Sequence, residues 1–154
     1  MPSGFLVLAD GRCLARRWRA YDKIIRAIAE SVEESESGLV LRNWLLSLLP
    51  GPADEEEIGI GAWYRTADNQ TVVRHLDIRE LTPPNQRLFH NAVLEAAKRC
   101  AASQEAFDWL DLGRDSLIDL GDMVIRADRG ETPLSRSDWR EVVPSEGRHI
   151  GPGW

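Results

Sequence analysis

The chain is short of basic charge, of sulfur and of long apolar runs, and each shortage excludes a class of function. Nineteen Lys and Arg stand against 25 Asp and Glu, a formal net charge of -6. Affinity for a phosphate backbone needs a basic surface, so a general nucleic-acid binder is excluded. The two cysteines, Cys13 and Cys100, lie far apart and form no zinc-type or redox-type pair. Both read as reduced, partly buried thiols. The most apolar stretch, residues 39–49, is interrupted by Arg42 and Asn43. It is also shorter than the roughly 20 residues that cross a bilayer. Met1-Pro2-Ser3-Gly4 lacks the basic start and long apolar core of a secretion signal, so a cytoplasmic location is expected, with no membrane partner. No Walker loop, dinucleotide fingerprint or serine nucleophile elbow occurs. The three histidines, His75, His90 and His149, have no second His or Cys at a metal spacing. No metal, cofactor or catalytic residue is therefore assigned.

What remains is ordinary globular material. The 154 residues are 43% hydrophobic and 29% charged, enough for one domain with a sizeable core. Phe5-Leu6-Val7-Leu8, the turn Asp10-Gly11 and a return strand Cys13 to Trp18 predict a β-hairpin. Asp22 then reads as a helix cap before Ile24, Ile25, Ile28 and Val32, with Glu33, Glu34 and Glu36 near the fraying end of that helix. Leu39 to Leu49, apolar nearly all round, predicts a buried helix stopped by Pro50-Gly51-Pro52. Residues 58–66 and 71–78, joined through Asp68-Asn69-Gln70, predict a second hairpin. Gly59 and Gly61 within it read as a bulge or a close backbone approach. Thr82-Pro83-Pro84 opens a helix whose apolar face runs from Leu88 and Phe89 to Cys100, with His90 at its boundary. A further helical region runs from Ser103 to about Asp128. The order predicts an α+β fold: an antiparallel sheet of about four strands, from two hairpins, with about four helices packed on one face. Residues 1–140 read as a single domain and 141–154 as an irregular C-terminal tail.

The feature with most content is a row of aspartates. Asp108, Asp111, Asp115, Asp119 and Asp122 follow in steps of three, four, four and three. On a regular helix they project within an arc of about 80°. Leu110, Leu117, Leu120 and Val124 project on the opposite side, together with Gly113 and Gly121. Solvated helix faces usually mix signs, because like charges at i,i+4 repel. A row of one sign therefore suits a cationic partner, while the plainer account is a solvated face. Asp54, Glu55, Glu56 and Glu57 form a second acidic group, alternatively a charged loop that keeps the next strand soluble. Together the two groups have the charge to mimic a phosphate backbone or to block the positive cleft of a nuclease. Metal binding by the row is disfavoured, because a helical row spreads ligands along a line and a cation gathers them around a point. Arg12, Arg16, Arg17 and Arg19 form the one basic cluster, for which an intramolecular role is expected.

In size, acidity, α+β order, cytoplasmic character and absence of catalytic motifs, the chain resembles the small acidic immunity proteins of bacterial polymorphic-toxin and contact-dependent growth inhibition systems. The resemblance is one of type and assigns no residue. It implies a tight complex with a cognate toxin domain, often a nuclease, whose active site is covered or locked. The expected function is thus a non-catalytic binding protein that neutralises a basic protein partner. Two alternatives stand beside it. One is an enzyme using His75 and Asp77, which share one side of a strand, with Tyr64 or Glu80 nearby. The other is an adaptor subunit with an apolar patch around Trp44 or Trp63.

Overall fold

The structure is a computed structural model that describes residues 3–49, 58–60, 63–65, 71–102, 110–131 and 148–150, with side chains described for 4–16, 20–49, 75–102 and 116–131. β1 (Ser3–Val7) and β2 (Cys13–Arg17) form the first expected hairpin, antiparallel with Val7 opposite Cys13. Its turn needs a residue of positive φ, and Gly11 supplies it at 91°. Leu8 N–H donates to the Arg12 carbonyl at 2.8 Å and closes the loop.

β2 passes directly into α1 (Trp18–Glu30). The helix thus begins a turn earlier than the expected cap at Asp22, and it takes in Trp18, expected at the end of the strand, and Arg19. The apolar stripe starts with Ala20 and Tyr21, both buried, ahead of Ile24, Ile25 and Ile28. α1 ends at Glu30, so Glu33 and Glu34 lie in the turn before α2 (Glu36–Ser47) and not on the end of α1. Negative charge there favours the N-terminus of α2. Ser35 caps that terminus: its side chain accepts from Gly38 N–H at 3.0 Å. α2 is not buried all round. Leu41 and Leu45 face the core, whereas Leu39, Val40 and Leu46 are exposed.

The expected strand over 58–66 is two short strands, β3 (Ile58–Ile60) and β4 (Trp63–Arg65), paired antiparallel. β4 pairs antiparallel with β5 (Thr71–Asp77), which gives the second hairpin. The sheet as a whole is mixed, and this corrects the all-antiparallel expectation. β1 runs parallel to β5, with Phe5 opposite His75 and Val7 opposite Asp77. Two helices intervene between the hairpins, and a connection of that length permits the parallel join. The strand order is β2-β1-β5-β4-β3, which puts β2 at the end of that path. β6 (Arg148–Ile150) also pairs with β5, in parallel, so these three residues of the expected irregular tail are strand.

A 3-10 turn (Ile78–Glu80) leads to α3 (Pro83–Ala102), which starts after Thr82 as its proline chemistry requires. α4 (Leu110–Asp128) completes the helical layer. Leu6, Leu8, Leu14, Leu76 and Ile78 point from one sheet face into a single core with Ile24, Ile25, Ile28, Leu45, Phe89, Val93, Leu117, Leu120 and Val124. Leu48 packs half-buried at its margin. Phe5, Val7, His75 and Asp77 alternate to the other sheet face and are buried there as well. Among the described residues the result is α+β, with four helices and a mixed sheet. Among the described residues no helix is long and apolar enough to cross a membrane.

Candidate functional site

α4 is continuous through Gly113, so Asp111, Asp115, Asp119 and Asp122 lie on one helix. Its inner side is the expected apolar stripe: Leu117, Leu120 and Val124 are buried. Gly121 is buried too, and a Cβ there would come within 2.8 Å of the Ala97 Cβ on α3. Glycine thus permits the close approach of the two helices. Asp119 and Asp122 are exposed on the outer side. Asp119 is already paired, accepting from the Arg16 guanidinium of β2 at 3.0 Å. Arg16 also donates through Nε to Ser116 Oγ at 2.8 Å. Asp122 has no ion pair among the described residues. The side chains of Asp111 and Asp115, and Asp108 altogether, lie outside the described residues, as do Asp54, Glu55, Glu56 and Glu57.

The basic cluster has the intramolecular role expected of it at two positions. Arg16 ties β2 to α4, as above. Arg12 is buried and donates through Nε to Asp10 at 2.6 Å, and its guanidinium also donates to the Glu131 carbonyl beyond α4. The side chains of Arg17 and Arg19 lie outside the described residues.

The histidine pair that would carry catalysis is built differently from an open active site. His75 is wholly buried and Asp77 is 1% exposed. Asp77 Oδ1 accepts from the Arg79 N–H at 3.0 Å and from Arg79 Nε at 2.9 Å. Its Oδ2 accepts from the same guanidinium at 2.6 Å. Asp77 caps the 3-10 turn in this way. Glu80 is exposed on that turn, and the Tyr64 side chain lies outside the described residues.

His90, expected at a boundary, is buried instead. Its Nδ1 lies 3.5 Å from an Asp128 carboxylate oxygen, and Nε2 has no hydrogen-bond partner among the described residues. Burial pushes the imidazole pKa below 6.5, with Arg87 acting the same way and Asp128 opposing it. No sequence spacing links residue 90 to residue 128, so only the packing of α3 on α4 brings the pair together.

The surface that sequence reasoning missed is the corner between α1 and α2. Glu33, Glu34, Ser35, Glu36, Leu39 and Arg42 line an open cleft of about 550 Å³. Arg42 is directed inward: Nε donates to the Ala29 carbonyl at 3.1 Å and the guanidinium to the Val32 carbonyl at 3.0 Å. Glu33, Glu34 and Glu36 are exposed and have no ion pair among the described residues. Beside them stand Leu39, 54% exposed, and Val40, 66% exposed. The signal in the sequence is the all-round apolarity of residues 39–49, which predicts burial on every side, whereas Leu39, Val40 and Leu46 are exposed.

Among the described residues no three His, Cys, Asp or Glu side chains group as metal ligands. Cys13 is half-buried and Cys100 buried, and no disulfide joins them. Comparison with models of known protein families, with curated proteins and with solved structures finds no match.

Proposed function

We propose that this chain is a non-catalytic binding protein that captures and neutralises a cationic protein partner, as an immunity protein blocks its cognate bacterial toxin domain, nucleases included. The observation that carries the reading is the unbroken α4, with Leu117, Leu120 and Val124 buried on one side and Asp119 and Asp122 exposed on the other. Folding and solubility account for a polar outer side. They do not account for the run of aspartates from Asp111 to Asp122 before Arg126 closes the row, since neighbouring aspartates repel by a few tenths of a kcal/mol. A basic surface laid against the row reverses that repulsion and steers the encounter. The enzyme reading through His75 and Asp77 has less support, because His75 is buried and both Asp77 oxygens accept from Arg79. An adaptor centred on Trp44 also has less, because Trp44 packs half-buried against the core.

The test uses the partner captured from the host on the immobilised chain. Asp111, Asp115 and Asp122 are reversed to Lys together, leaving Asp119 in its pair with Arg16. Association should slow by about tenfold or more at low salt, with an unchanged unfolding midpoint. The difference should shrink as salt screens it. Equal rates for the variant and the parent would leave the row as a solvated face.

A further inference from the structure

We infer that the α1–α2 corner is the docking surface for a cationic amphipathic helix presented by the partner protein. The inference rests on the cationic-partner reading above and assigns it a place that the aspartate row does not cover. α1 packs against both α2 and α4 and so lies between the two surfaces.

The first ground is apolar surface without an internal purpose. Leu39 and Leu46 are seven residues apart, two turns, and so share one azimuth about 10 Å apart along the axis. Val40 stands beside Leu39. All three are exposed, at 54%, 66% and 37% for Leu39, Val40 and Leu46. Val40 gains little from its position in isolation, since a β-branched residue loses rotamer freedom in a helix and at 66% exposure it has little packing to offset that loss. Leu39 and Leu46, at i and i+7, lie on one azimuth with Val40 about 100° to the side and exposed Asn43 between them, a two-turn patch against which an amphipathic helix can lay its apolar side.

The second ground is charge at one end of the stripe. Glu33, Glu34 and Glu36 line the cleft with Leu39, and none is neutralised by an ion pair among the described residues. Arg42 lines it too, but its guanidinium donates to the carbonyls of Ala29 in α1 and of Val32 in the turn after it. Arg99 reaches the same turn through Ser31 Oγ at 3.1 Å and leaves the corner net acidic. A cleft with carboxylates above and a leucine wall suits a lysine or arginine, whose aliphatic stem packs while its head stays among the acids. Glu36 is also one helical turn before Leu39 and Val40, so the cationic residue and the apolar face belong to one helical partner.

A second copy of this chain fits less well. It brings another net charge of -6 and another set of these glutamates. A stable dimer also needs about 800 Å² from each partner, more than three side chains supply.

The test is a titration of the full chain, isotope-labelled for NMR, with a synthetic Lys/Leu helix of 3.6-residue periodicity. Glu/Leu and scrambled Lys/Leu peptides are the controls. Amide shifts should map to residues 33–47. The double substitution Leu39→Ser/Val40→Ser and the double substitution Glu33→Gln/Glu34→Gln should each weaken binding by at least about tenfold. Asp111→Asn/Asp115→Asn should leave it within about twofold. Circular dichroism melting checks that each variant folds, and the exposure of all four corner positions makes folding the expected result. Shifts confined to α4 would overturn this assignment and leave the cationic-partner reading standing. Equal binding of the Glu/Leu peptide would overturn the charge argument. A dimer abolished by Leu39→Ser would replace the partner with a second copy. Binding to neither surface would overturn both readings.

Discussion

α2 and α4 each bury one stripe against the same core, and they differ in what the opposite side carries. α4 shows solvent Asp119, Asp122 and Arg126, with Ile125 as its one exposed large apolar residue among those described. α2 shows solvent Leu39, Val40 and Leu46. On α4 the division between apolar and polar follows burial, so the need for a core and a wet surface explains it, apart from the single sign of its aspartates. On α2 the division does not follow burial, so folding alone leaves three side chains without a reason. The two anomalies have different chemistry, charge in one and apolar surface in the other. The proposed cationic amphipathic partner would answer both.

The largest effect that tests the contrast is within α2 itself. Leu45 is wholly buried, and Leu45→Ala should cost about 2–5 kcal/mol. Leu39→Ala, at a position 54% exposed, should change stability by no more than about 0.5 kcal/mol. Urea unfolding midpoints of the two variants measure the difference. A loss at Leu39 comparable to that at Leu45 would mean that the stripe is covered in solution, and the contrast with α4 would disappear.

Both helices also depend on a glycine, for different reasons, and this gives an intermediate effect. A Cβ on Gly38 would collide with the Glu33 carbonyl oxygen and stand 2.9 Å from Ser35 Oγ. The carbonyl belongs to the turn that holds the acidic corner, so it cannot move without opening that turn. Gly38→Ala should cost about 1–3 kcal/mol. At Gly121 the obstacle is the Ala97 Cβ at 2.8 Å. Relief there needs only a small separation of α3 from α4, and alanine returns up to about 1 kcal/mol of helix propensity. Gly121→Ala should therefore be the milder change by thermal unfolding. The reverse order would show that the corner is looser than its hydrogen bonds imply.

These contrasts mark how far the sequence was legible. Hairpins carry local chemistry, and Asp10-Gly11 located the first one correctly. The join between hairpins has no local signature, so the parallel pairing of Phe5 with His75 was not readable. Asp22 has cap chemistry but lies inside α1, because the buried stripe begins at Ala20 and Tyr21. For the site, α4 was legible because a 3.6-residue period exposes a row of like residues. The α1–α2 corner was not. An all-round apolar helix reads as buried from sequence, and only packing shows which side was left over. His90 and Asp128 meet across two helices, a contact no spacing encodes.

The smallest expected effect concerns the one aspartate of the row with a known partner. The pair of Arg16 with Asp119 is exposed, with side chains 32% and 58% accessible. Pairs of that kind contribute at most about 1 kcal/mol and weaken with salt. Arg16 keeps its bond to Ser116 Oγ when Asp119 is lost, which reduces the effect further. A double-mutant cycle of Asp119→Asn and Arg16→Gln should therefore give a small coupling that fades at high salt. Asp122→Asn, with no ion pair to break, should leave stability unchanged. A large, salt-insensitive coupling would assign Asp119 to the fold, as the tie that fastens α4 to β2. The row would then lose a member to structure, leaving Asp111, Asp115 and Asp122 to meet a partner. A small one leaves Asp119 available to exchange its arginine for a partner's, at little cost to the folded chain.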